Sequence, residues 1–277
     1  MSIVNIVCPR CTYNIGVFQS GLIEVYDNCS NCDFVVSKIE DVPCLRDCEE
    51  RQINLISKAS TLLSYDSSNL KIPFIDRALQ SDLLTLELGG GLDLCQNKNL
   101  IKSDAFLYSK EMHLISDAHS LPFADETFSF VYALAVFEHL HSPWIAADEI
   151  FRVLKPGGEV FVLTAFMQHE HGYPNHYFNM TRSGLERIFC NFEINQIKPS
   201  SHSSFDQLSY IFMDFASFLN GVDLERKFKD QKHRLQNAVK IFCDSVEELD
   251  PLLLNEKNIS QDWFKIAPSI EITALKK

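Results

Sequence analysis

The chain has no excess of basic residues. It carries 25 Lys and Arg against 37 Asp and Glu, a net charge of −12, with a pI near 5.2. Broad electrostatic attraction to phosphate backbones is therefore missing, and bulk binding to DNA or RNA is disfavoured. There is no run of the roughly 18–20 apolar residues that a spanning helix needs. The apolar start "MSIVNIVCPRC" is broken by Pro9 and Arg10 before it reaches leader length. The expectation is a cytoplasmic protein with no membrane span. An even complement of cysteines is also lacking. There are nine, an odd number that argues against a disulfide framework and leaves their spacing to decide their role. What is present is 277 residues of 46% hydrophobic content, enough for one large domain or for one domain and a small one.

Four cysteines form two knuckles, "CPRC" (Cys8, Cys11) and "CSNC" (Cys29, Cys32), with 17 residues between them. This is metal-site spacing. Each tight turn presents two sulfurs, and the gap accommodates a hairpin that brings the turns together. Four thiolates close a tetrahedral shell with no position left for water, so the expected ion is a structural zinc. So short a segment has little core of its own, and the metal would supply folding energy. Cys44, Cys48, Cys95, Cys190 and Cys243 lack partners at such spacing and read as ordinary small residues. With the following "DFVVSKIEDVPCLRD", residues 6–47 resemble a zinc-ribbon module often found beside methyltransferases. The segment has few basic residues, among them Arg10, Lys38 and Arg46, which weakens a role in gripping RNA.

Residues 49–80 read as helix and connector. From Leu83 onward, short apolar runs ("LLTLEL", "HLIS", "FSFVYAL", "EVFVLTAF") alternate with helical stretches. Continuous rather than alternating apolar runs fit strands buried on both faces. Their alternation with helices predicts a Rossmann-like, doubly wound, mostly parallel α/β sheet. The clearest helix is "SPWIAADEIFRVLKPGG", with Ser142 as N-cap and Pro143 in the first turn. Its predicted buried stripe is Ala147, Ile150, Phe151 and Leu154, and Pro156, Gly157 and Gly158 are its predicted stop. "FEINQIKP" and "PSIEITAL" read as later strands, with an apolar and then a charged amphipathic helical insert near 205–260 between them. Mixed charge on that insert argues against a membrane helix. It could form a dimer face, and the oligomeric state stays open.

The stretch "LTLELGGGLDLC" looks like a strand running into a phosphate-binding loop, but the third glycine of a dinucleotide fingerprint falls on Leu94. What remains is an acid followed by glycines, Glu87 with Gly89, Gly90 and Gly91. Glycines permit a tight turn and close approach of a ligand, and the acid can accept from an ammonium. A plain tight turn is the alternative on this stretch alone.

Downstream, "DAHSLPFADETF", "VFEHL" and "EIFRVLKPGG" join "ELGGG" in order. Residues 83–165 thus resemble class I S-adenosylmethionine-dependent methyltransferases, in particular the type 11 branch. The resemblance implies a seven-stranded sheet whose last strand inserts antiparallel. It implies that Glu87, Gly89, Gly90 and Gly91 line the methionine end of S-adenosylmethionine. Asp104 would accept from both ribose hydroxyls, and Asp117 from the adenine amino group, with Ala118 beside the ring. Ala133 to Phe137, Leu134 among them, would border the methyl-donating sulfur. Asp93 stands where the branch usually has a third loop glycine.

Methyl transfer needs mainly a positioned acceptor, and an oxygen or nitrogen acceptor can also need a base near neutral pKa. "LTAFMQHEHGYPNHYFNMT" leaves the carboxyl end of a strand, where ligands of open α/β sheets sit. It carries His169, His171, Tyr173, His176 and Tyr177. The candidates are His171 and His176 as base or acceptor contact and Tyr177 as orienting group. Packing of these rings into a lid is the alternative. Glu138 and His139 form a second candidate pair. The "PNHYFNMT" run resembles the same branch, many members of which lie near glycan-building genes.

The expected organisation is a zinc-ribbon domain over residues 1–48 and a methyltransferase domain over 49–277. The expected activity is O- or N-methylation of a small molecule or glycan precursor. Two other readings stay open. One is an RNA or protein methyltransferase with the ribbon as substrate grip. The other is a non-catalytic cofactor-binding scaffold, which Asp93 would allow.

Overall fold

The computed structural model describes residues 3–19, 21–46, 71–91, 93–108, 112–168, 170–171, 175–200 and 269–277, with five residues between 233 and 241. The helix expected near 49–66 lies outside these residues, as does the insert near 205–260 apart from those five, which are helical.

The N-terminal part begins with three antiparallel strands, β1 (Ile3–Val7), β2 (Asn14–Gln19) and β3 (Leu22–Val25). The hairpin β4 (Ser37–Ile39) and β5 (Val42–Cys44) comes after them. Next come α1 (Pro73–Gln80), β6 (Thr85–Leu88), β7 (Leu100–Asp104), β8 (Leu114–Ile115) and β9 (Phe128–Leu134). A 3-10 turn (Phe137–His139), α2 (Pro143–Val153), β10 (Leu154–Ala165), α3 (Arg182–Ile188), β11 (Glu193–Pro199) and β12 (Ser269–Leu275) complete the described elements.

The large sheet runs β11-β12-β10-β9-β6-β7-β8-β5-β4. Strands β10, β9, β6, β7 and β8 are parallel neighbours. The last strand, β12, inserts antiparallel between β10 and β11, as the resemblance implies. The seven expected strands are therefore present, but the sheet has nine. Cys44 of β5 pairs in parallel with Ile115 of β8, so the N-terminal hairpin extends the edge. Pairing there removes a bare row of backbone donors and acceptors from β8.

Both faces are covered, which is why β9 reads as a continuous apolar run. Its Phe130 and Tyr132 face α1, where Phe74 contacts Phe130 edge-on at 5.7 Å and stacks on Phe161 at 5.5 Å. Its Val131 and Ala133 face the other core, with Ala146, Ala147, Ile150 and Val153 of α2 and with Leu185 of α3. Val4, Ile6, Ile15, Phe18 and Phe34 of the N-terminal part belong to this same core. Ile6 bridges Phe123, and Val7 N–H donates to the Pro122 carbonyl at 3.0 Å. The N-terminal strands thus share one hydrophobic core with the parallel sheet and α2.

Helix α2 differs from its sequence expectation in detail. Ser142 is the N-cap residue, but its side chain makes no capping bond and instead meets His141 Nδ1 at 2.9 Å. The helix ends at Val153, before Pro156, because Leu154 already takes extended dihedrals and begins β10. The buried stripe is consequently Ala146, Ala147, Ile150 and Val153. Phe151 is half-buried, and Leu154 is buried as a strand residue.

Candidate active site

The parallel registers set the site. Leu88 is level with Ser103 of β7 and Ala133 of β9, and Asp104 is level with Ile115 of β8. Leu134, the glycine loop, Asp104 and Asp117 therefore lie in a row beyond the carboxyl ends of four adjacent strands. That is where ligands of such sheets bind.

Glu87 is almost fully buried, with 1% exposure. After it, Gly89 takes φ +78 and passes so close to Val136 that a Cβ would collide with it. A Cβ on Gly90 would lie 2.9 Å from the Glu87 carboxyl group, and one on Gly91 would enter the Tyr108 ring. The glycines thus fit their positions because the backbone is packed against Val136, Glu87 and Tyr108. The amide N–H of Gly89 donates to the Ser103 carbonyl at 2.9 Å, which pins the loop to β7.

Asp104 ends β7. Its Oδ1 accepts from the backbone N–H of Phe106 at 3.1 Å, and the amides of Gly91 and Ala105 also favour the charged carboxylate. Burial pushes its pKa up from an ordinary 3.8 to about 6, against those amides and the charge of Arg46, which act downward. Placed by the β5–β8 pairing, Arg46 donates to the Ala105 carbonyl at 3.0 Å and lies over the Phe106 ring at 5.5 Å. Its charge acts on both Asp104 and Asp117. In the N-terminal segment Arg46 is only one of a few basic residues, and nothing near it marks it for this place.

Asp117 lies in the loop after β8. Its Oδ1 accepts from the His119 amide at 2.9 Å and meets His119 Nδ1 at 2.6 Å. Burial raises its pKa, but the two His119 bonds and the charges of His119 and Arg46 together hold it below the usual value. His119 stacks on His141 at 4.2 Å. Ala118 is half-buried against the core. Leu134 is half-buried at the end of β9, and the next residue, Ala135, takes φ +54. The chain bends there and brings Val136 over Gly89.

The histidine segment is held to the end of β9. The Tyr177 and Phe178 N–H groups donate to the Glu138 carbonyl, at 2.7 and 3.2 Å. His171 and His176 stand 4.4 Å apart, ring centre to ring centre, and His139 lies 5.4 Å from His171. Both His176 nitrogens meet the backbone: Nδ1 accepts from His171 N–H at 3.3 Å, and Nε2 donates to the Phe178 carbonyl at 3.1 Å. Tyr177 is exposed, and its hydroxyl accepts from Asn175 Nδ2 at 3.0 Å. The structure therefore brings His171 and His176 to the pair Glu138 and His139. His169 and Tyr173 lie outside the described residues.

The two cysteine knuckles also meet. Each is a closed turn: Thr12 N–H donates to the Cys8 carbonyl at 2.8 Å, and Cys29 N–H to the Phe34 carbonyl at 2.9 Å. Cys8 and Cys32 sulfurs are 3.7 Å apart, and Cys11 and Cys29 sulfurs 3.5 Å. All four sulfurs lie within 4.8 Å of one another. A tetrahedron of Zn–S bonds near 2.3 Å sets sulfurs about 3.8 Å apart, so this donor set fits the ion. The knuckle touches the loop after Asp117, where Ser120 Oγ donates to the Pro9 carbonyl at 3.2 Å.

Asp93 is fully buried. Its carboxylate accepts from Cys95 N–H at 2.9 Å, and its carbonyl from Lys102 Nζ at 3.0 Å. The side chain is used inside the fold and anchors the loop there.

Residues 91–162 match the methyltransferase domain family. Over 128 residues the chain is 29% identical to the ubiquinone/menaquinone biosynthesis C-methyltransferase UbiE of a Ruegeria species, covering 43% of this chain and 46% of that one. Over 61 residues it is 43% identical to the sterol 24-C-methyltransferase erg6 of Schizosaccharomyces pombe, covering 22% of this chain and 14% of that one. The chain thus spans less than half the length of these curated relatives. A solved Haemonchus contortus phosphoethanolamine N-methyltransferase 2 aligns with a TM-score of 0.42 at 14% identity, over 73% of this chain and 52% of that one. Residues 91–162 thus carry the sequence pattern of a methyltransferase domain.

Proposed function

We propose that this protein transfers a methyl group from S-adenosylmethionine to a small molecule or glycan precursor, on oxygen or nitrogen, and that its four N-terminal cysteines hold a structural zinc ion. The observation that carries the reading is the row at the strand ends: Leu134, the Glu87–Gly91 loop, Asp104 and Asp117 at adjacent positions. Along that row the methionine end lies against Glu87 and the packed glycine backbone. The ribose hydroxyls donate to Asp104, since a carboxylate accepts two such donors. The adenine lies by Asp117 and Ala118. Leu134 and the bend at Ala135 border the sulfonium.

The cofactor brings its own leaving group, and the chain's residues orient the two reactants for in-line displacement. On the acceptor side stand His171 and the exposed Tyr177. His176, with both nitrogens on backbone groups, holds the segment in place. The two relatives described above are named as C-methyltransferases, so an acceptor screen includes carbon nucleophiles. Among the described residues no helix is long and apolar enough to cross a membrane. With the acidic charge, this supports a cytoplasmic enzyme without a nucleic-acid partner.

Calorimetric titration with S-adenosylhomocysteine tests the reading. Micromolar binding is expected in the native chain and loss of it in Asp104→Ala. Equal affinity in the two proteins rejects the proposed cofactor site.

A further inference from the structure

The geometry points to a second metal site: Glu138, His139 and His171 form a three-ligand centre for a divalent transition metal, with zinc the first expectation. One ligand atom from each lies within 4.8 Å of the others. Bonds of about 2.0–2.2 Å to nitrogen and carboxylate oxygen set such atoms about 3.4 Å apart, so each atom moves by less than about 1 Å, within reach of ordinary side-chain adjustment. Two imidazoles and one carboxylate suit zinc and its first-row neighbours rather than calcium or magnesium.

Three further observations support a ligand set over a chance cluster. Glu138 is buried, with 1% exposure, and the described residues place no Lys or Arg against it. A metal ion there would compensate the charge of a buried carboxylate. Thr164 Oγ1, itself fully buried, donates to Glu138 Oε2 at 2.9 Å and orients the carboxylate. His139 Nδ1 meets the Asn175 carbonyl at 2.8 Å. Donation there fixes the tautomer and leaves Nε2 as the ligand nitrogen. Such outer bonds recur behind metal-binding histidines and carboxylates. The 175–178 chain is in turn tied to the Glu138 carbonyl, so the ligands from two segments are held in one frame.

Three protein ligands leave a tetrahedral ion one open position. The centre lies directly after Val136, which packs on Gly89 of the proposed cofactor loop. The role of the ion rests on the methyl-transfer reading; its binding does not. An acceptor hydroxyl at the open position loses its proton to solvent more readily, because the cation stabilises the oxyanion. Its oxygen pair then forms the new bond to the methyl carbon. The carbon–sulfur bond breaks with its electrons on sulfur, giving S-adenosylhomocysteine. His171 acts here as a ligand rather than as the base.

The test is a cobalt(II) count on the full chain after chelator treatment and refilling. The native protein is expected to hold two equivalents: one with the thiolate charge-transfer absorption of the cysteine site, one with ligand-field bands only. In His139→Ala/His171→Ala and in Glu138→Gln the second equivalent is lost while the thiolate bands remain. One thiolate-bound equivalent in the native protein, or two in the double variant, overturns the site. A single equivalent without thiolate bands that the double variant loses upholds it and rejects the cysteine site instead. S-adenosylhomocysteine calorimetry on the same samples separates the two readings, since metal binding without cofactor binding rejects methyl transfer alone. Should the double variant fail to fold, as loss of both thiolate bands and cofactor binding would reveal, Thr164→Val decides. It should weaken the second metal by about 10–100-fold, and unchanged affinity overturns the site.

Discussion

The backbone N–H of Gly89 donates to the carbonyl of Ser103 at 2.9 Å, joining the loop after β6 to the end of β7. In the proposed complex these two elements hold opposite parts of one cofactor. The bond therefore fixes the distance between the methionine and ribose contacts before any ligand arrives, and less ordering remains to oppose binding.

Asp104 makes cofactor binding depend on pH. Its pKa stands near 6, and only the ionised carboxylate accepts both hydroxyls. Affinity for S-adenosylhomocysteine should be flat above about pH 7 and fall below 6, approaching tenfold per pH unit. The sign for the unliganded protein is opposite. Between 3.8 and about 6 the unfolded chain carries fewer protons at this group than the fold does. Its contribution to stability therefore declines as pH rises through that window. Calorimetry across pH 5 to 8 reads the first effect, and urea melts read the second.

Arg46 should tune that midpoint. Its charge lowers the pKa of Asp104, so Arg46→Ala is expected to move the fall in affinity to higher pH. Arg46→Lys should restore the midpoint in part, because charge returns without the planar contact on Phe106. An unmoved pH profile in Arg46→Ala would mean that the arginine acts only through packing.

Gly91→Ala tests the close packing of the loop. The added methyl would enter the Tyr108 ring, and overpacking of this kind costs about 1–3 kcal/mol. Cofactor affinity should drop by roughly tenfold or more. The pair Gly91→Ala/Tyr108→Ala should recover part of the loss, because the smaller side chain makes room. No recovery in the double variant would place the damage in the backbone instead.

Cys29→Ser should remove one equivalent of metal and lower the melting temperature of the whole protein. The N-terminal strands share a core with β9 and α2, so one transition is expected to shift as a unit. An unchanged metal content rejects the four-sulfur site. A small separate transition, with the main one unmoved, rejects the shared core.

Arg152 ties α2 to the loop under the N-terminal sheet. Its Nε and Nη2 both donate to Glu149 at 2.8 Å, and its other bonds reach Asp125 and the carbonyls of Leu121 and Phe123. Arg152→Ala should destabilise by about 2–4 kcal/mol, since two carbonyls and a partly buried carboxylate lose a charged donor. Urea denaturation measures it, and a change below about 0.5 kcal/mol would show these contacts to be replaceable by water.

The sheet is legible in the sequence because burial on both faces leaves a local trace: β6, β8, β9 and β10 are each short apolar runs. The cysteine knuckles are legible because two ligands of one site lie three residues apart in each turn. Glu87 and the glycines mark a loop, and the resemblance supplies roles for Asp104 and Asp117. None of this requires knowing which distant segments meet. Only the tertiary structure decided that β4 and β5 extend the large sheet, since one edge pairing, Cys44 with Ile115, has no signature in either strand. That pairing delivers Arg46 to Asp104, across a separation that local periodicity does not span. Long-range packing likewise turned Glu138, His139 and His171 from two separate candidates into one cluster. Sequence determines what each segment can bury and which atoms it offers; contact between segments depends on tertiary packing, which settles which of those atoms form a site.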